Sequence, residues 1–205
     1  MEIIFVKATF GILSSFLVIL GSLFYLKDIH KRRVCPHLIS SFGWASITAI
    51  GAFAMLAEGG VWTVAIVFAN TLCCLMVGGY SIYKKVGVWS TTYYDFIFLG
   101  IGILGLILWQ TLDMPVIAII CAIIADLSFG MPTIFKTYKN PNTETPFIWI
   151  MYVFSGIFSL FSAQYFTFSE LAYPFYLFIF DFTVLILVLK IVKKQKKGKE
   201  LDYSL

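Results

Sequence analysis

Seven apolar runs follow one another along the chain, at about residues 8–26, 39–57, 62–83, 95–111, 115–135, 147–164 and 172–192. A helix of about 20 residues crosses the roughly 30 Å hydrocarbon core of a bilayer, and these runs are close to that length. In lipid no water satisfies backbone N–H and C=O groups, so a spanning segment must be a helix or part of a closed barrel. Barrel strands would appear as alternating segments of about ten residues, and none is visible. The predicted fold class is an all-α polytopic membrane protein with seven transmembrane helices. Composition agrees, because 60% of the residues are hydrophobic and 13% charged, which is not the balance of a soluble domain. The N-terminal MEIIFVKATF lacks the basic region and cleavage site of a signal peptide, so the first run reads as a retained span.

Charge then orients the chain. Lys27, Lys31, Arg32, Arg33, Lys84, Lys85, Lys136, Lys139 and the six lysines from Lys190 to Lys199 all fall on one side of this topology. Lys7 alone falls on the other. By the positive-inside rule the N-terminus lies outside and the C-terminus is cytoplasmic, in an integral membrane protein whose first partner is the lipid bilayer. The same distribution argues against nucleic acid as a partner, because the basic residues follow the linkers and the tail. Cys35, Cys73, Cys74 and Cys121 lack metal-ligand spacing, and His30 and His37 share one linker as solvated loop residues. No metal site, cofactor, nucleophile–base pair or phosphate-cradling loop is found, so no catalytic residue is assigned and an enzyme is not expected.

An internal repeat organises the spans. A shift of 105 residues places Ile29 on Ile134, Lys31 on Lys136, Pro36 on Pro141 and Trp44 on Trp149 without a gap. Allowing about six further residues before the seventh span also places Asn70 on Asp181. The fourth run has no counterpart. Two parallel three-helix units need one extra crossing between them, so the plan is 3+1+3. The expected units are a first bundle over 1–86, a linker helix over 87–113, a second bundle over 114–193 and a basic cytoplasmic tail over 194–205.

Two carboxyls, Asp126 and Asp181, lie near the middle of spans five and seven. An ionised carboxylate at that depth costs about 2.5–3.5 kcal/mol on insertion scales. Each must therefore face the bundle interior, either in a substrate or proton site or in a structural hydrogen bond between helices. Asp126 is the candidate for proton coupling or a polar cavity. Pro132 removes a helical donor for the Ser128 carbonyl. Gly130 and Thr133 share a face with Asp126, so Gly130 and Pro132 are candidate hinge residues unless the proline is a plain packing kink.

A span closed by a proline, then a short basic linker, then a second span resembles the PQ-loop pattern of the SWEET-like (MtN3/saliva-type) seven-span transporter superfamily. Here the motif is Met131-Pro132-Thr133, without the glutamine, and Lys27 stands at the matching place in the first half. The second half also resembles bacterial seven-span proteins with the pattern "PT…K…P.tE.p..W". The resemblance implies a plasma-membrane transporter that moves a small polar solute, a sugar or another small metabolite, by alternating access. It implies that Trp44 and Trp149 hold substrate, where the bland alternative is an interfacial belt. Asn70 matches an asparagine position of the third helix, and Asp181 stands where a second asparagine is expected. Ser46, Thr48, Ser155 and Ser159 are further candidates for lining that space. A ligand-binding membrane receptor or sorting protein of the same fold is the alternative, and the oligomeric state is open.

Overall fold

The apolar runs form helices, and the linkers between them are short. The computed structural model describes residues 2–57, 62–89, 93–111, 115–163 and 167–202. Its helices are α1 (Glu2–His30), α2 (Leu38–Ala57), α3 (Trp62–Tyr83), α4 (Tyr93–Thr111), α5 (Pro115–Lys139), α6 (Pro146–Ser162) and α7 (Phe168–Asp202), with a short 3-10 turn at Pro141–Thr143. Among the described residues no strand forms. Three helical stretches, Phe5–His30, Ile119–Lys139 and Leu171–Lys190, are long and apolar enough to cross a membrane.

The exterior is apolar, unlike that of a water-soluble domain. Phe5, Ile12, Phe16, Leu104 and Phe161 are largely exposed, whereas Ser22, Ser40, Ser81, Asp126, Thr133 and Asp181 are buried. An apolar exterior around an interior that mixes these polar groups with a core including Ile29, Val34 and Val184 suits lipid rather than water.

Helix neighbours form a closed ring. α1 packs on α3, α3 on α2, α2 on α5, α5 on α7, α7 on α6, and α6 returns to α1. α4 lies outside this ring against α5 and α2. Among the described residues α1 does not pack on α2, nor α5 on α6. The ring maps onto itself when α1, α2 and α3 are exchanged for α5, α6 and α7. One pair of hydrogen bonds repeats the exchange at single residues. Thr145 Oγ1 donates to Asp28 at 2.9 Å between the start of α6 and α1, and Thr133 Oγ1 meets Ser40 Oγ at 2.9 Å between α5 and α2. Asp28 and Thr133 are 105 residues apart, as are Ser40 and Thr145.

The basic ends of the helices are tied by their linkers. α1 and α3 finish alike, with Arg32 and Lys85 in the left-handed region at φ 54° and 55°. In each case the next amide, Arg33 or Val86, reaches back to Asp28 or Ser81, satisfying carbonyls the helix end would strand. Cys35 N–H donates to Thr143, and Val88 exchanges backbone bonds with Pro36 and Leu38. Three linkers thus meet at one end. Two expectations change here. His37 is buried rather than solvated, whereas His30 stays exposed and ends α1 with its Nδ1 2.7 Å from the Tyr80 hydroxyl. Pro132 is fully buried inside α5, which continues through it to Lys139, and α7 continues as helix through the tail to Asp202.

Candidate functional site

The polar groups inside the ring form two layers. The layer farther from the basic end centres on Asp126 of α5. Its carboxylate accepts hydrogen bonds from the Tyr173 hydroxyl at 3.1 Å and the Tyr176 hydroxyl at 2.7 Å, both on α7. Tyr173 and Tyr176 are three residues apart and so point from one face of α7. Both donors are neutral. Cys74 of α3 lies within electrostatic range of Asp126 from across the ring.

Helix register sets the depth of the remaining candidates. Gly130 sits one turn nearer the basic end than Asp126. A Cβ there would lie 2.5 Å from the Phe180 ring and 3.3 Å from Trp44, so only glycine admits this contact between α5, α7 and α2. Asp181 follows Phe180. It is 8% exposed and has no hydrogen-bond or ion-pair partner among the described residues. Thr71 donates to Thr48 at 2.9 Å, which puts Asn70 about one turn farther out than Trp44, at the depth of Asp126. Asn70 is half-buried and shares its face with Cys74.

Trp44 and Trp149 do not face each other across an open space. Both rings pack on Phe180, at 5.8 Å and 6.4 Å between centroids, and Tyr176 joins at 6.1 Å. Phe180 therefore plugs the interior between the two tryptophans. Trp149 is also committed through its Nε1, which donates to Glu144 at 3.2 Å. The serine and threonine candidates divide. Thr48 stands in the interior layer, Ser155 pairs with Ser14 between α6 and α1, and Ser46 is exposed. Ser159 is half-buried, and its carbonyl accepts from Ser162.

Sequence reasoning missed the second layer. Glu144, in the linker before α6, accepts the Tyr25 hydroxyl in one bond shared between its two oxygens at 2.8 and 3.0 Å, besides the Trp149 indole. Lys136 forms an ion pair with it and also donates to the Cys35 carbonyl. The two side chains are 7% and 1% exposed, so this is a buried pair. It joins α1, α5, the first linker and the start of α6. Its signal in the sequence was an acid, Glu144, in a linker otherwise rich in lysine, five residues before a tryptophan. Phe180 carried no signal at all, since one phenylalanine among 21 does not announce its position.

Chemically, the outer layer offers two carboxyls, neutral hydroxyl and indole donors, and aromatic faces. No lysine, arginine or histidine occurs in the intervals 38–83, 86–135 and 146–189, and among the described residues neither acid forms an ion pair. Among the described residues no cluster of three or more metal-ligating side chains occurs. Two surface grooves lie elsewhere: one of about 570 Å³ between α1 and α3 at Leu26, Met76 and Tyr80, and one of about 260 Å³ among α2, α4 and α5 at Phe42, Ile103 and Phe129. Compared with known proteins, the chain matches no family model, no curated protein and no solved structure.

Proposed function

We infer that this protein is a seven-span membrane transporter that moves a small polar solute by alternating access, with two three-helix units joined by α4. The observation that carries this reading is the helix ring, which is self-similar under exchange of α1–α3 for α5–α7 and encloses acids without counter-charges. Parallel repeats of this kind place a solute site at mid-depth between the units. In this mechanism Asn70 and Asp181, on the opposed helices α3 and α7, contact the solute. Trp44, Trp149 and Phe180 separate that site from the basic, cytoplasmic end. Asp126, held by Tyr173 and Tyr176, is the second polar contact or the proton-sensitive group. Gly130 and Pro132 lie where α5 must slide or bend against Phe180. The buried Lys136–Glu144 pair joins both units at the basic end and opens when the site faces the cytoplasm.

The test is uptake of labelled sugars, amino acids, amines and vitamins into proteoliposomes. Asp181→Asn and Asp126→Asn are each expected to reduce uptake of the accepted solute at least about tenfold, the loss of about 1.4 kcal/mol of binding. Unchanged uptake by both variants overturns these roles. Solute binding without uptake assigns the protein to the receptor class.

A further inference from the structure

The outer layer also bears on which solute fits. Asp126 and Asp181 lie on adjacent helices within electrostatic range of one another. Asp126 is met by two neutral donors, the Tyr173 and Tyr176 hydroxyls, and by no cation among the described residues. Asp181 has neither donor nor counter-ion among the described residues, although it is more than nine-tenths buried. A largely buried carboxyl without a donor is costly to ionise, and a positive charge brought by a ligand would offset that cost. Phe180, the residue before Asp181 on α7, touches both the Trp44 and the Tyr176 rings, so aromatic faces occupy the same layer. Aromatic faces together with a carboxylate favour an organic cation, whose charge meets the ring quadrupoles and whose carbon skeleton needs apolar cover. A bare metal ion instead wants several oxygen ligands in a cage. A neutral polyol brings no charge to either acid.

We propose that the solute is a small organic cation, an ammonium or guanidinium, with its charge on Asp181 and its carbon skeleton against Phe180 and Trp44. The proposal rests on the solute-site reading above, but not on movement of the solute. Phe180 must turn aside to admit the ligand, so binding to the wild-type protein includes that cost.

The experiment measures binding apart from flux. Purified full-length protein in detergent is titrated calorimetrically with choline, agmatine and tyramine, and with two neutral probes, 3,3-dimethyl-1-butanol (the uncharged isostere of choline) and glucose. At least one cation is expected to bind about tenfold or more tightly than either neutral probe. Asp181→Asn is expected to lower that affinity about tenfold or more while its unliganded melting temperature stays level or rises, because an uncompensated charge is removed. The proposal is overturned if no cation binds, if a neutral probe binds as well as the cations, or if Asp181→Asn leaves affinity unchanged. Should that variant fail to fold, the wild-type comparison of the three cations with the neutral probes decides. Cation binding without uptake into proteoliposomes keeps this inference and removes transport. Glucose uptake without cation binding keeps transport and removes this inference.

Discussion

Replacing one member of the Lys136–Glu144 pair isolates the contribution of the basic-end cluster. Deleting one partner of a buried ion pair costs about 3–5 kcal/mol, because the other charge stays buried and uncompensated. The two single changes should sit at different ends of that range. After Lys136→Met, Glu144 keeps the Tyr25 and Trp149 donors, and charge-assisted bonds of that kind contribute about 1.5–3 kcal/mol each, so the cost falls near about 3 kcal/mol. After Glu144→Gln, the Lys136 ammonium keeps the Cys35 carbonyl and a neutral amide, so the cost approaches about 5 kcal/mol. The double variant buries no charge and should cost less than Glu144→Gln alone. The measurement is chemical unfolding in detergent micelles of the wild type, both single variants and the double. Single costs below about 1 kcal/mol would mean that the pair behaves as a solvated surface contact. A double cost within about 0.5 kcal/mol of the sum would mean that the two groups do not interact. Either result refutes the buried-pair argument.

Gly130→Ala forces a Cβ into the Phe180 ring and is expected to destabilise by about 1–3 kcal/mol; the loss should shrink in combination with Phe180→Leu, read by thermal unfolding. Asp126→Leu strands the Tyr173 and Tyr176 hydroxyls inside the ring, whereas Asp126→Asn keeps an acceptor for them. The leucine variant is expected to be less stable than the asparagine variant by about 1–3 kcal/mol, and equal stabilities would contradict the hydrogen bonds drawn here. Ser40→Ala removes the hydroxyl that Thr133 meets between α2 and α5, and Thr145→Val removes the equivalent donor between α6 and α1. Each is expected to cost about 0.5–1.5 kcal/mol in unfolding experiments, with Thr145→Val at the upper end because its partner is the Asp28 carboxylate.

Helix content and helix positions were legible in the sequence because they depend on local properties: the length of each apolar run and the polarity of the residue clusters between runs. The 105-residue offset was legible too, since Pro36, Trp44 and Lys31 recur at Pro141, Trp149 and Lys136 in equivalent linkers. Asp126 and Asp181 stood out for a related reason, as carboxyls in runs that otherwise exclude charge. Ring closure was decided only by the tertiary structure, because it depends on which helix faces fit one another. Thr133 meets Ser40, and Thr145 meets Asp28, across more than 90 residues of chain. Glu144 read as one more linker residue until Tyr25, 119 positions earlier, folded over it beside Lys136 and Trp149. The part played by Phe180 arose in the same way, because a phenylalanine becomes a plug only when Gly130 leaves room for its ring between two tryptophans. Composition chooses the solvent and the helices. Side-chain fit between distant helices chooses which polar groups are satisfied, and leaves Asp181 as the buried acid without a partner among the described residues.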